Sequence, residues 1–297
     1  MINLEFIINT LSLGSLYAML ALGLVIVYGI LRLVNFAYGE LIMIGGYTLY
    51  LLTGFTPLPW LFVAFLAVIV SMLTSLATEL VAFRPVREKS LTAMLITSFA
   101  VSTLLQNAAL LIISPRARAV TLPQIFQKSV LIAGTDVPWR NILTILTSIF
   151  MLALLTLLLK RTVLGIALRA AADNFRMTRM LGVPANTVIS SAFAISGIMA
   201  GIVSIFWIGR SASVTPTLGA PPLLVAFVAT VIGGMRSLTG AVVGGFVYAI
   251  IISLLGIFLP PDLLEFREAF MFVFVIIILL FRPEGLIRSK TSVERVG

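Results

Sequence analysis

The sequence predicts an all-α integral membrane protein, a polytopic helical bundle of about eight spans plus one short or re-entrant segment. Three observations predict it. The 297 residues are 60% hydrophobic and only 10% charged, against about 25% charged in ordinary soluble domains. Apolar runs of roughly 20 residues, the length a helix needs to cross the hydrocarbon core, recur along the whole chain. The cations gather in a few connections between those runs instead of covering a surface.

Taken in order, residues 6–31 form the first clean span. The preceding stretch MINLEFIIN has no basic start and carries Glu5, so the first run reads as a permanent span and not as a cleaved leader. Residues 33–52 qualify as a span except for Glu40. Residues 60–78, 91–113, 141–159, 188–209 and 238–259 are clean. Residues 222–235 are too few to cross comfortably. Residues 266–281 cross only if Arg267 and Glu268 lie at the interface, where long side chains reach water. The connection 114–140 is broken by Pro115, Pro123, Gly134 and Pro138 and reads as a loop with short extended pieces. The connection 160–187 is different. Ala167 and Ala170–Ala172 favour helix, Asp173 or Asn174 caps a second short helix, and Gly182 followed by Pro184 ends it. No soluble domain boundary interrupts residues 1–297, which form a single membrane domain.

The charges orient this array. Arg84, Arg87 and Lys89, the cations of 160–184, and Arg282, Arg288, Lys290 and Arg295 fall on one side if 222–235 counts as a crossing. The positive-inside rule makes that side cytoplasmic, with the N-terminus outside and the C-terminus inside. The loop 114–140, with Arg116, Arg118, Lys128 and Arg140, dissents but must lie outside by span parity. This topology accounts for the net charge of +9 without any nucleic-acid partner. A weak internal likeness links residues 39–47 (GELIMIGGY) and 240–246 (GAVVGGF), each following a polar kink. Paired interruptions of this kind mark substrate pathways in some transporters.

Several chemistries are excluded. The chain has no Cys and no His, so it offers no disulfide framework, no Ser-His or Cys-His pair and no usual metal ligand set. No GxxxxGK[ST] loop is present to hold a nucleotide. No catalytic and no metal-binding residue is therefore assigned. What remains are polar residues in apolar surroundings. Asn35, Gly39 and Glu40 interrupt the second run. A charge at bilayer depth normally faces protein or a watery cavity, so Glu40 either lines a pathway or sits near the interface and pairs with Arg32. Glu79 reads as an interfacial ion pair with Arg84 or Arg87. Gln106 and Asn107 lie deep in the run 91–113, as interhelical glue or as pathway lining. Gly197 and Gly201, and likewise Gly240 and Gly244, stand four apart as packing seams. The 160–184 stretch carries Lys160, Arg161, Arg169, Arg176 and Arg179 against Asp173 alone. A helix connection needs only a few residues, so this one reads as a docking element for a partner, the alternative being a basic helix on anionic lipid.

Five segments together resemble one family. They are residues 23–47 (GLVIVYGILRLVNFAYGELIMIGGY), 168–184 (LRAAADNFRMTRMLGVP), 193–206 (FAISGIMAGIVSIF), 228–250 (VATVIGGMRSLTGAVVGGFVYAI) and 281–286 (FRPEGL). Spread over nearly the whole chain, they resemble the inner-membrane permeases of the branched-chain amino-acid ABC importers, the LivH type. The resemblance implies a type II ABC importer-like fold in the cell inner (plasma) membrane. It implies a second homologous permease subunit, two cytoplasmic ATPase subunits that hold ATP-Mg, and an external substrate-binding protein; this chain itself would bind no cofactor. The family's ATPase-coupling motif falls on Gly165, Arg169, Ala170, Asp173, Asn174, Arg176 and Gly182, with Asp173 where Glu is common. Pathway roles fall on Asn35, Gly39, Glu40, Gln106, Asn107, Gly233, Gly234, Ser237 and Gly240. Branched-chain amino acids are the expected cargo, with urea, amides or another small solute as sibling readings and an ion-coupled secondary transporter as the rival class.

Overall fold

The computed structural model describes residues 4–287 other than 88, 133 and 236, without the side chain of Arg176. The predicted basic tail with Arg288, Lys290 and Arg295 lies outside the described residues. The chain is helical almost throughout. It runs through α1 (Leu4–Leu31), α2 (Tyr38–Phe55), α3 (Trp60–Thr78), a π-turn (Glu79–Phe83) and α4 (Leu91–Ile112). Then come β1 (Arg118–Ala119), α5 (Gln124–Gln127), the hairpin strands β2 (Ser129–Ile132) and β3 (Thr135–Pro138), α6 (Trp139–Arg161) and α7 (Val163–Met180). The last part is α8 (Ala185–Ser211), β4 (Ser213–Val214), α9 (Ala220–Gly233), α10 (Leu238–Phe258), a 3-10 turn (Pro261–Phe266) and α11 (Arg267–Phe281).

Six helices, α1, α3 with its π-turn, α4, α6, α8 and α10, are long and apolar enough to cross a membrane. The other three predicted runs become the shorter helices α2, α9 and α11, of 18, 14 and 15 residues. The second run begins as helix only at Tyr38, because residues 32–37 leave helical geometry once Arg32 adopts φ +55°.

α1 is the central post. Apolar on all sides, it is buried without a break from Ala18 to Val27, and it packs on α6, α8, α9 and α10. Glycines set the closest approaches. A Cβ on Gly197 would lie 2.7 Å from Met72 Cα, and one on Gly201 2.6 Å from Val68 Cα, so the predicted seam of α8 lies against α3. Gly244 likewise faces the Ala229 carbonyl of α9, 1.9 Å from where its Cβ would be. The outer faces of α3, α4, α6 and α11 expose Phe65, Leu111, Phe150 and Ile276 among others, an apolar exterior that a bilayer solvates.

The two ends of the bundle differ. At one end β1 pairs with β4, the hairpin β2–β3 closes the long connection, and Phe126 of α5 seats against Trp60 and Phe206. The expected short extended pieces of 114–140 are thus present. At the other end lie α7, the π-turn with Arg87, and residues 282–287. From β4 the chain descends through 215–219 and α9 to that second end, where the backbone N–H of Leu286 and of Ile287 bond to the carbonyls of Ile232 and Gly233 at 2.8 and 3.1 Å. The segment 222–235 thus runs toward that second end, entered from the turns of 216–219.

Candidate functional site

The α7 element fulfils the local sequence logic. Thr162 caps its start, Oγ1 accepting from Gly165 N at 3.0 Å. Gly165 is required there: a Cβ would stand 2.2 Å from the Leu158 carbonyl at the tight α6–α7 corner. Asn174 breaks the helix at φ −148°, ψ 94° and its Oδ1 caps the second half, accepting from Met177 N at 3.0 Å. Gly182, at φ +83°, ends it. Leu168, Ala171 and Thr178 face inward, whereas Arg169, Ala170, Asp173 and Asn174 face out. Arg176 is on the same helix, but its side chain lies outside the described residues.

Two links tie α7 and its exit into the bundle. Arg32, at the end of α1, donates from Nη2 to the Ala172 carbonyl at 2.6 Å. Beyond α7, Arg87 donates from Nη2 to Asn186 Oδ1 and lies 3.6 Å by Nη1 from Glu79 Oε1. Glu79, fully buried at 0% exposure, also receives Ser190 Oγ on Oε2 at 2.8 Å. The expected Glu79 ion pair exists with Arg87, enclosed between the π-turn and α8. Between these links, α1, α4, α7 and α8 surround a cavity of about 460 Å³ lined by Met94, Phe175, Arg179 and Ile189 among others.

Deeper in the bundle, the start of α2 is a built junction. Asn35 forms its turn: Oδ1 accepts from Ala37 N at 3.0 Å and its carbonyl from Tyr38 N at 3.1 Å. Tyr38 fills the space that Gly23 leaves on α1. Gly39 meets Gly219 backbone to backbone, since a Cβ on Gly39 would lie 2.2 Å from the Gly219 carbonyl. Glu40, 5% exposed, sits in the first turn of α2 beside the first turn of α9, and Oε1 accepts from Ser102 Oγ of α4 at 3.0 Å. The Arg32 pairing considered for Glu40 is not formed among the described residues. Arg32 reaches α7 instead, because its left-handed backbone turns the chain before α2 begins.

The other predicted pathway residues are elsewhere. Asn107 is exposed and bonds its own helix, Nδ2 to the Thr103 carbonyl at 2.8 Å, while Gln106 is half-buried. Among the described residues no hydrogen bond joins either amide to another helix, and the main helix contacts of α4 are with α2 and the π-turn. Gly233, Gly234, Ser237 and Gly240 gather at the α7 end, about 20 Å along α9 from Glu40. A Cβ on Gly233 would lie 1.8 Å from the Gly240 carbonyl, and Ser237 Oγ caps α10 at Gly240 N, 3.0 Å away. Gly234 adopts φ +111° against residues 284–287. These four make a backbone knot between α9, α10 and residues 284–287. The residues that sequence reasoning missed are Arg32 as a link to α7, Ser102 as the partner of Glu40, and the stacked Phe36–Phe99 pair. Only the polar interruption near Asn35 hinted at any of them.

A family model described as the permease component of the branched-chain amino acid transport system matches residues 6–281. The chain belongs to this permease family. The high-affinity branched-chain amino acid transport system permease protein BraD of Pseudomonas aeruginosa is 32% identical over 99% of this chain and 98% of its own. The LivH permease of Escherichia coli K12 is 31% identical over 99% and 97%. The probable LivH permease of Methanocaldococcus jannaschii is 30% identical over 92% and 89%. The protein is thus an ABC permease component and not itself an ATPase. In this permease the outward face of α7, with Arg169 and Ala170, is exposed, and Arg32 joins that element to the turn that leads into α2.

Proposed function

We propose that this chain is a transmembrane subunit of an ATP-driven importer of branched-chain amino acids in the cell inner (plasma) membrane. Its N-terminus faces outward and its C-terminus the cytoplasm, consistent with the cation-rich connections gathered at the α7 end. A second homologous permease completes the pathway, two ATPase subunits holding ATP-Mg dock on α7, and an external binding protein delivers solute. The observation that carries the reading is the end-to-end similarity to permeases of that named system, together with a helix whose arginine-bearing face points away from the bundle.

The mechanism is alternating access. ATP closes the ATPase pair, and the docked face of α7, with Arg169, Ala170, Asp173, Asn174 and Arg176, moves with it. Arg32 passes that movement to residues 32–37, and so to Glu40 and to the Phe36–Phe99 stack. Arg87, Asn186 and Glu79 pass it to the π-turn that precedes α4. The ATPases shift the equilibrium only by binding the two states with different affinity. Asn35, Gly39 and Glu40 belong to the pathway side of this arrangement. Gln106 and Asn107, on the lightly packed α4, line the pathway against the second permease.

The test is co-purification of a tagged chain with its partners, followed by leucine uptake in proteoliposomes. Uptake that needs ATP and the binding protein is expected. Uptake that follows an ion gradient without ATP, or ATP-driven uptake of urea or an amide in preference to leucine, would refute the reading.

A further inference from the structure

Two buried carboxylates occur among the described residues, and they are treated differently. Glu79 meets Arg87 and Ser190. Glu40 receives one hydroxyl on Oε1, and its Oε2 meets no donor among the described residues. A carboxylate has about four acceptor positions, and leaving a buried one short of donors is costly unless a partner arrives. A glycine lets that oxygen come up against the backbone at the start of α9: a Cβ on Gly219 would stand 2.7 Å from it.

The walls suit an occupant that comes and goes. α4, which supplies Ser102, makes its main helix contacts with α2 and the π-turn and is the least anchored of the long helices. About one turn along α4 toward the α7 end, Phe99 stacks on Phe36 with ring centroids 4.0 Å apart. Phe99 is 51% exposed and Phe36 lies in the non-helical turn after α1. Arg32, whose bond to Ala172 links α7 to the bundle, begins the same non-helical turn that carries Phe36.

Resting on the reading of the chain as a solute pathway, we propose that Glu40 is the acceptor for an N–H donor of the transported solute. That donor is the α-ammonium of an amino acid, or the N–H of an amide-bearing solute. Glu40 forms two hydrogen bonds when the site is filled, Ser102 to Oε1 and the solute N–H to Oε2, and Phe36 with Phe99 forms the floor.

The chain contains no cysteine, which makes the test direct. Gln106→Cys, one helical turn from Ser102, gives a single thiol beside the site in the assembled transporter. Its rate of modification by a methanethiosulfonate reagent is measured with leucine, with 4-methylpentanoate (the same chain without the amine) and with urea. Leucine is expected to slow modification at least threefold and 4-methylpentanoate not at all. Adding Glu40→Gln is expected to abolish the protection, and Glu40→Asp to weaken it, so that one non-assembling variant does not end the experiment. Equal protection by leucine and 4-methylpentanoate, or protection that survives Glu40→Gln, overturns the proposal. No protection by any of the three probes while leucine uptake proceeds also overturns it and leaves the import reading intact. Protection by urea with no leucine uptake sinks the branched-chain reading and leaves the N–H acceptor standing.

Discussion

Replacing Arg87 by methionine is expected to destabilise the folded chain by about 3 kcal/mol, and the size follows from the geometry. The side chains of Arg87 and Glu79 are 14% and 0% exposed, with N and O 3.6 Å apart. At an effective dielectric of about 20, such a pair attracts by roughly 4–5 kcal/mol, but part of that offsets the removal of both charges from water. Taking away one partner of a buried pair costs about 3–5 kcal/mol, because the other charge is stranded. The lower end applies here. The 3.6 Å separation is longer than a hydrogen bond, and Ser190 continues to support Glu79. Methionine keeps the apolar stem of the side chain, so the loss reports charge more than packing. Glu79→Gln alone is expected to cost less, about 1–1.5 kcal/mol, since Arg87 retains Asn186 and some solvent. The double variant is expected to be no worse than about 1.5 kcal/mol, a coupling of about 2–3 kcal/mol in the cycle. Reversible unfolding in mixed micelles, followed by near-ultraviolet circular dichroism, measures all four proteins. A strictly additive cycle, with coupling under about 0.5 kcal/mol, would refute the latch between the π-turn and α8.

Arg32→Ala removes a charged hydrogen bond to α7 worth about 1.5–3 kcal/mol; ATPase recruitment is expected to persist while solute moved per ATP hydrolysed falls severalfold. Arg169→Glu is expected to leave membrane insertion intact and abolish ATPase recruitment, which a pull-down with the tagged chain reads; normal recruitment would remove α7 from the docking role. Gly201→Val is expected to cut the yield of monodisperse protein at least fivefold in size-exclusion chromatography, because even a Cβ there would lie 2.6 Å from Val68 Cα.

The amino-acid sequence by itself determined that this is a membrane bundle, since no soluble fold can shelter so much apolar surface. Run lengths placed every major helix to within a few residues, because the bilayer fixes the length of a span. Local chemistry also determined the form of α7. The Asn174 cap and the left-handed Gly182 stop act within one helical turn, and short-range effects leave short-range signals. Tertiary structure decided who meets whom. Glu40 and Ser102 are separated by 62 positions, Arg32 and Ala172 by 140, and no periodicity encodes such pairings. The same reason explains the glycines of 233–240. Their spacing looks alike whether they border a lumen or let two backbones touch, and only the third dimension placed α9, α10 and residues 284–287 against one another there.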